Sequence, residues 1–151
     1  MEKWTIKKLL DWMTGYLGDK EVDSPRLHAE LLLSHVLGMK RIELYMHVDK
    51  EVGQDKLAEL RWLVKRAAAH EPIAYLVGRT EFYSMEIRVN RHCLIPRPET
   101  EGLVERGIEF LRQREGQQYV CDLCTGSGCI ALAVAKGVPD AEIIATDISD
   151  E

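Results

Sequence analysis

No apolar run in these 151 residues is long enough to cross a bilayer, and Glu2, Lys3, Lys7 and Lys8 interrupt the start, so no apolar signal segment follows Met1. A cytoplasmic location with no membrane partner is the expectation. Excess positive charge is missing too: the formal net charge of -5 speaks against a generic phosphate-binding surface. Nucleic acid is not an expected partner. Nor is there a complete metal set, although Cys121 and Cys124 have C-x-x-C spacing, Cys129 follows closely and Cys93 lies upstream. Residues three apart on a strand face opposite ways, and no second pair or neighbouring His completes a tetrahedron. Plain thiols are expected. His28 and His35 stand seven apart, whereas a helical metal pair needs three or four, so both read as core-edge histidines. What remains is a globular composition, 46% hydrophobic and 30% charged, with nothing against a packed core.

The most informative stretch runs from Val120 through Asp122, Cys124, Thr125, Gly126, Ser127 and Gly128 to Ala133, followed by Ile143 to Asp147. It reads as strand, glycine turn, helix, strand, acid. A short apolar strand ends at Asp122, backbone can approach a ligand at Gly126 and Gly128, and an alanine-rich helix opens at about Ser127, offering free N–H groups. The second strand carries Asp147 to its carboxyl end, where open α/β sheets bind nucleotides and an acid suits a ribose diol. Gly126 to Ala131 also fits the dinucleotide pattern G-x-G-x-x-[G/A], which keeps an NAD-binding oxidoreductase open as an alternative. Asp122 shifts the balance, since a carboxylate beside the loop suits a cationic ligand better than a pyrophosphate. S-adenosylmethionine, with a sulfonium and an ammonium, is such a ligand. Here the sequence resembles motif I of the class I methyltransferases, with Asp147 at the position of the ribose-binding acid.

Upstream, the spacing predicts four helices. Ile6, Leu9, Leu10, Met13 and Leu17 form the buried face of the first, over residues 4–17, closed by Gly15 to Gly18. Asp23-Ser24-Pro25 supplies the N-cap and first-turn proline of the second, with Leu27, Leu31, Leu32 and Val36 inward and Gly38 as its stop. Ile42, Leu44 and Tyr45 are the apolar contribution of a short third helix near 40–47. The fourth runs from Gln54 to Glu71 with Leu57, Leu60, Val64 and Ala67 or Ala68 inward, ended by Pro72. Short loops make this a bundle. Residues 73–78 read as a link, and alternation on either side of Ser84 predicts a β-hairpin over 80–89.

Ile95-Pro96-Arg97-Pro98-Glu99-Thr100-Glu101 has the composition of a helix start, with Leu103, Val104, Ile108 and Leu111 as the buried face. Together with D-L-x-T-G-S-G downstream, the run I-P-R-P-E-T-E resembles the HemK/PrmC family, which methylates the glutamine of the release-factor GGQ loop. The resemblance covers the whole chain. It implies an α+β architecture: a helical substrate-recognition domain over 1–76, a hairpin linker over 77–95 and, over 96–151, the beginning of a Rossmann-like class I methyltransferase domain. It implies S-adenosylmethionine as cofactor, bound by Asp122, Cys124, Thr125, Gly126, Ser127, Gly128 and Asp147, with Arg97, Pro98, Glu99 and Thr100 bordering the pocket. The implied partner is a peptide chain release factor, contacted by the helical domain, and the implied reaction is methyl transfer to a glutamine side-chain amide.

Two departures from the family pattern stand out. Cys124 occupies a position that usually holds glycine, so a positive φ there would strain it. The N-P-P-Y motif, which orients the glutamine amide, is nowhere in these residues. An amide lone pair is delocalised into its carbonyl, so transfer needs acceptors that aim it. The expectation is the front part of a longer enzyme, inactive alone and binding the cofactor weakly or not at all, with no catalytic residue of its own. A sheet this short leaves apolar faces that invite self-association. A helical module that binds release factor without catalysis is the other alternative; DNA adenine methylation is disfavoured by the acidic balance and by the P-R-P-E-T-E run.

Overall fold

A computed structural model describes residues 3–150, which fold as a mixed α and β chain divided into two compact units at Val77 and Gly78. The first unit is helical: α1 (Ile6–Asp19), α2 (Pro25–Leu37), α3 (Arg41–Met46), α4 (Gln54–Ala67) and α5 (Ile73–Val77). Its core holds the predicted stripe of α1, namely Ile6, Leu9, Leu10, Met13 and Leu17, together with Leu32, Leu33, Leu44, Leu57, Leu60, Leu63, Val64, Ile73 and Leu76. The side chains of this stripe recur at helical spacing and meet α2, so burying that face stabilises the helix more than propensity does.

The helix ends depart from the expectations, and for one physical reason. α1 passes through Gly15 and Gly18, ends at Asp19 and is closed by Glu21 at φ 55, with the Val22 N–H reaching the Leu17 carbonyl at 3.1 Å. α4 stops at Ala67, well before Pro72: His70 turns left-handed at φ 60, Glu71 N–H returns to the Arg66 carbonyl at 3.2 Å, and the Glu71 carboxylate pairs with the Arg66 guanidinium. The same closure ends α2, where Gly38 at φ 64 takes the left-handed place and Met39 N–H reaches Ser34. Only that last one uses the residue type that advertises it.

Other expectations are corrected inside the unit. Ser24 precedes Pro25 but is left-handed at φ 47 and its side chain makes no capping bond; the extended backbone that aims a capping hydroxyl is absent. Leu27 is exposed, while Leu33 and Glu30 are buried, so the inward face of α2 is rotated from the predicted stripe. In α3 only Leu44 is buried; Ile42 and Tyr45 are exposed. The predicted link at 73–78 contains α5, whose Ile73 and Leu76 complete the core against α2 and α4. His28 and His35 are half-buried, and burial pushes the His28 imidazole below its usual pKa.

The buried carboxylate of Glu30 is satisfied by a cluster that spans three helices. Arg41 donates at 2.5 and 3.0 Å, Arg26 at 3.2 Å, and the Tyr45 hydroxyl also donates to it, while Arg26 bonds Asp11 at 3.3 Å. Burial raises the Glu30 pKa, but the bonds from Tyr45, Arg41 and Arg26 outweigh it and hold the carboxyl below its ordinary value.

The second unit begins with an antiparallel hairpin, β1 (Arg79–Phe82) and β2 (Met85–Arg88), in register Phe82↔Met85. Tyr83 and Ser84 form its turn, both left-handed at φ 51 and 53, the geometry that matches strand twist. α6 (Glu99–Arg112) then presents Val104 and Ile108 inward, with Leu103 exposed contrary to the expected face. β3 (Tyr119–Leu123) pairs in parallel with β4 (Glu142–Thr146) through α7 (Cys129–Gly137), which packs on α6 and on β4. α7 starts at Cys129, two residues beyond the expected start, because Thr125 to Gly128 form a separate turn closed by Gly128 N–H on the Thr125 carbonyl at 2.9 Å.

Candidate functional site

The parallel register decides where the two sequence-marked acids stand. Asp122 pairs with Ala145 and Leu123 with Thr146, so Asp147 follows the last paired residue of β4 at the same sheet end where β3 gives way to its loop. Thr125 N–H bonds the Thr146 carbonyl at 2.9 Å, which carries the ladder one step beyond the strands and pins the loop to the neighbouring chain segment.

Both carboxylates turn onto this loop. Asp122 Oδ2 accepts from the Thr125 hydroxyl at 2.7 Å and from Ala131 N–H at 3.2 Å, so it ties the turn to the first residues of α7. Oδ1 of Asp122 makes no bond among the described residues. Asp147 Oδ2 accepts from Gly126 N–H at 2.7 Å, and its Oδ1 from Ser149 N–H at 3.0 Å. These bonds, Ser149 first and Gly126 next, hold the Asp147 carboxyl below its ordinary pKa. The expectation of free N–H groups is therefore corrected: Gly126, Gly128 and Ala131 spend theirs inside the loop. Local carboxylates satisfy helix-start donors better than water does.

The glycines keep the backbone approachable. Gly126 has φ 55 and Gly128 φ 73, and a Cβ on either would meet nothing closer than the Cys93 Cβ at 3.8 Å or Leu132 Cδ1 at 4.0 Å. Cys124 is left-handed as well, at φ 60, so the sequence departure falls on a position that glycine would occupy without strain. Ser127 Oγ is buried, and Cys129 stands next to it; burial pushes the Cys129 thiol up, against the lowering effect of the Ser127 hydroxyl. All four cysteines are free thiols, and no group of side chains suited to a metal occurs among the described residues.

Arg97 and Pro98 lead into α6, which Glu99 and Thr100 open, and the hydrogen bonds here are local: Thr100 N–H to the Arg97 carbonyl, Glu101 N–H to the Pro98 carbonyl. Of this upstream region, Cys93 approaches the loop. The sequence reading missed Glu101, whose Oε1 accepts the Tyr83 N–H at 2.8 Å and fastens the hairpin turn to the first turn of α6. It also missed Thr125 as the partner of Asp122; the three-residue spacing from strand end to hydroxyl was the available signal.

Chemically, the arrangement is a closed turn with small residues, two carboxyl groups and one carboxyl oxygen, Oδ1 of Asp122, that accepts no bond among the described residues. It can grip hydroxyls and a cation, and it repels phosphate.

Comparison with known proteins adds to this. Residues 8–78 match the PrmC N-terminal domain family. A release factor glutamine methyltransferase of Rhodopirellula baltica is 45% identical over 149 residues, covering 97% of this chain and 50% of the relative. Proteins of the same description from Geobacter sulfurreducens and Chlorobaculum tepidum are 44% and 35% identical, covering 98% and 97% of this chain and 51% of each relative. The chain spans about half the length of the curated relatives it matches. It carries a PrmC N-terminal domain over residues 8–78 and along nearly its whole length is similar to release factor glutamine methyltransferases.

Proposed function

We propose that the chain is the substrate-recognising and cofactor-gripping part of a release factor glutamine methyltransferase, acting in a protein of its relatives' length on the side-chain amide of the GGQ glutamine. Residues 1–76 are the recognition domain, 77–95 the linker, and 96–151 the beginning of a class I methyltransferase domain. The observation that carries the reading is the pair of carboxylates on one loop, Asp122 near the end of β3 and Asp147 just after β4.

The site fits S-adenosylmethionine by its donor set. Asp122 Oδ1 accepts no bond among the described residues and is left for a cationic group, and each Asp147 oxygen, having accepted one N–H, keeps a lone pair for a ribose hydroxyl. Gly126 and Gly128 admit close approach, while two acids on the turn disfavour the pyrophosphate of NAD. The bound cofactor supplies an activated methyl. Thr125 holds Asp122 in place, and Arg97 to Thr100 border the pocket. The 151 residues alone do not turn over, because the N-P-P-Y acceptors are not among them.

The test is transfer of labelled methyl from S-adenosylmethionine to a release factor by a protein of full length. Glutamine labelling that falls at least tenfold in Asp122→Asn is expected. Reduction of NAD without methyl transfer would overturn the reading, and turnover by the 151 residues alone would overturn the part concerning them.

A further inference from the structure

The helical unit carries a groove that the cofactor loop does not use. Its volume is about 180 Å³, and Trp4, Leu9, Trp12, Leu57, Leu60 and Arg61 line it. Leu9, Leu57 and Leu60 are buried in the core and make an apolar floor. Trp4 and Trp12 meet edge to face with centroids 6.1 Å apart, and Trp12 stacks on Tyr16 at 5.3 Å. Trp4 is fixed from behind, since its carbonyl accepts Val52 N–H at 2.9 Å and Thr5 bridges Glu51. Trp12 nevertheless keeps 44% of its surface in water. A large ring held on two sides and left half open is the type of anchor that protein interfaces bury.

Size and charge narrow the occupant. An apolar cavity of about 150 Å³ holds a benzene ring, whereas small-molecule sites run from about 300 to 1,000 Å³. This groove suits one aromatic or branched side chain and is too small for a cofactor. Arg61 stands exposed at its rim and Lys65 follows one turn later on the same row of α4. Among the described residues neither makes an ion pair, while Lys56 is taken by Glu59 and Arg66 by Glu71. Of the cations left over on α4, Arg61 lines the apolar slot and Lys65 stands one turn further along the helix.

We infer that this groove docks the protein substrate, through one apolar side chain set beside carboxylates in an acidic segment. The inference rests on the function proposed above in taking that partner to be a release factor; what it adds is the face and the chemistry of contact.

The experiment titrates a bacterial release factor into the 151-residue chain and into Trp12→Ala, Trp12→Phe, Arg61→Glu and Met46→Ala variants, with circular dichroism to confirm the helices. Binding of the unaltered chain should weaken with salt, Trp12→Ala and Arg61→Glu should each weaken it about tenfold, Trp12→Phe should recover most of the loss, and Met46→Ala, exposed on α3, should change nothing. Equal affinities across the set, or no binding by the unaltered chain, would overturn the inference. In a protein of full length the two groove variants should raise KM for the release factor and spare kcat. An unchanged KM there sinks the groove and leaves the activity standing; no methyl transfer by the unaltered protein sinks the activity itself.

Discussion

Gly126 donates its backbone N–H to the Asp147 carboxylate at 2.7 Å, so the acid after one parallel strand holds the glycine turn that follows the other. Sheet register makes this possible: residues 122 and 145 are paired, which leaves turn and acid emerging side by side. Asp147 thus has a structural task before any ligand arrives.

That bond predicts a titration. Asp147 has a pKa lowered in the folded chain, so its contribution to turn order is fully present above the ordinary aspartate value and is lost as pH falls through the lower folded one. In an amide NMR titration the Gly126 resonance should move with a midpoint below the ordinary value. Asp147→Ala should abolish the movement; a midpoint at or above the ordinary value would contradict the bond.

Cys124→Gly should leave stability unchanged or raise it by up to about 1.5 kcal/mol. A left-handed non-glycine residue costs about 1–2 kcal/mol, and the extra unfolded-state entropy of glycine offsets about 0.5–1 of that. Urea denaturation reads the difference. Gly128→Ala, at φ 73 with nothing nearer than Leu132 Cδ1 at 4.0 Å, should lose up to about 1.5 kcal/mol from the same balance of strain and entropy.

Gly137 sits where α7 ends against α6, and Arg112 donates to its carbonyl at 2.8 and 3.2 Å. An added Cβ would collide with two atoms of the buried Ile108 side chain, Cδ1 and Cγ1, and crowd a third, Cγ2, at 3.2 Å. Gly137→Ala should therefore cost about 1–3 kcal/mol by overpacking, and Gly137→Ala with Ile108→Val should recover part of it. Equal stability of the single variant in a denaturation curve would show that α6 and α7 pack otherwise.

Glu30→Gln should destabilise the helical unit by about 2–3 kcal/mol at neutral pH, the scale of charged hydrogen bonds lost from a buried acceptor. Because the folded carboxyl is held below its ordinary pKa, the wild-type advantage persists above that ordinary value and shrinks as pH falls through the folded one. Denaturation midpoints of the two proteins should converge in acid. A constant gap across pH would assign the loss to packing.

The sequence revealed what repeats. The α1 stripe of Ile6, Leu9, Leu10, Met13 and Leu17 is a periodic signal strong enough to read directly, and the strand, turn, strand pattern located the loop and its two acids. What escaped was set by tertiary contacts. Glu21 and His70 close helices in a conformation that their residue types do not advertise, so α1 overran its glycines and α4 stopped short of Pro72. α5 is too short to show a period, and its Ile73 and Leu76 are helical because a core awaits them. Glu30 was not singled out, since the arginines that satisfy it lie on another turn and another helix. At the loop, residue types were legible but hydrogen-bond economy was not: nothing in the letters says that Asp122 and Asp147 consume the N–H groups of Ala131 and Gly126.

The most direct test of the account is calorimetric titration of a full-length protein carrying this chain with S-adenosylmethionine and, separately, with NAD. The account predicts saturable binding of S-adenosylmethionine that weakens at least tenfold in both Asp122→Asn and Asp147→Ala, and no binding of NAD. Binding of NAD in place of S-adenosylmethionine, or an affinity for S-adenosylmethionine indifferent to both acids, would contradict it.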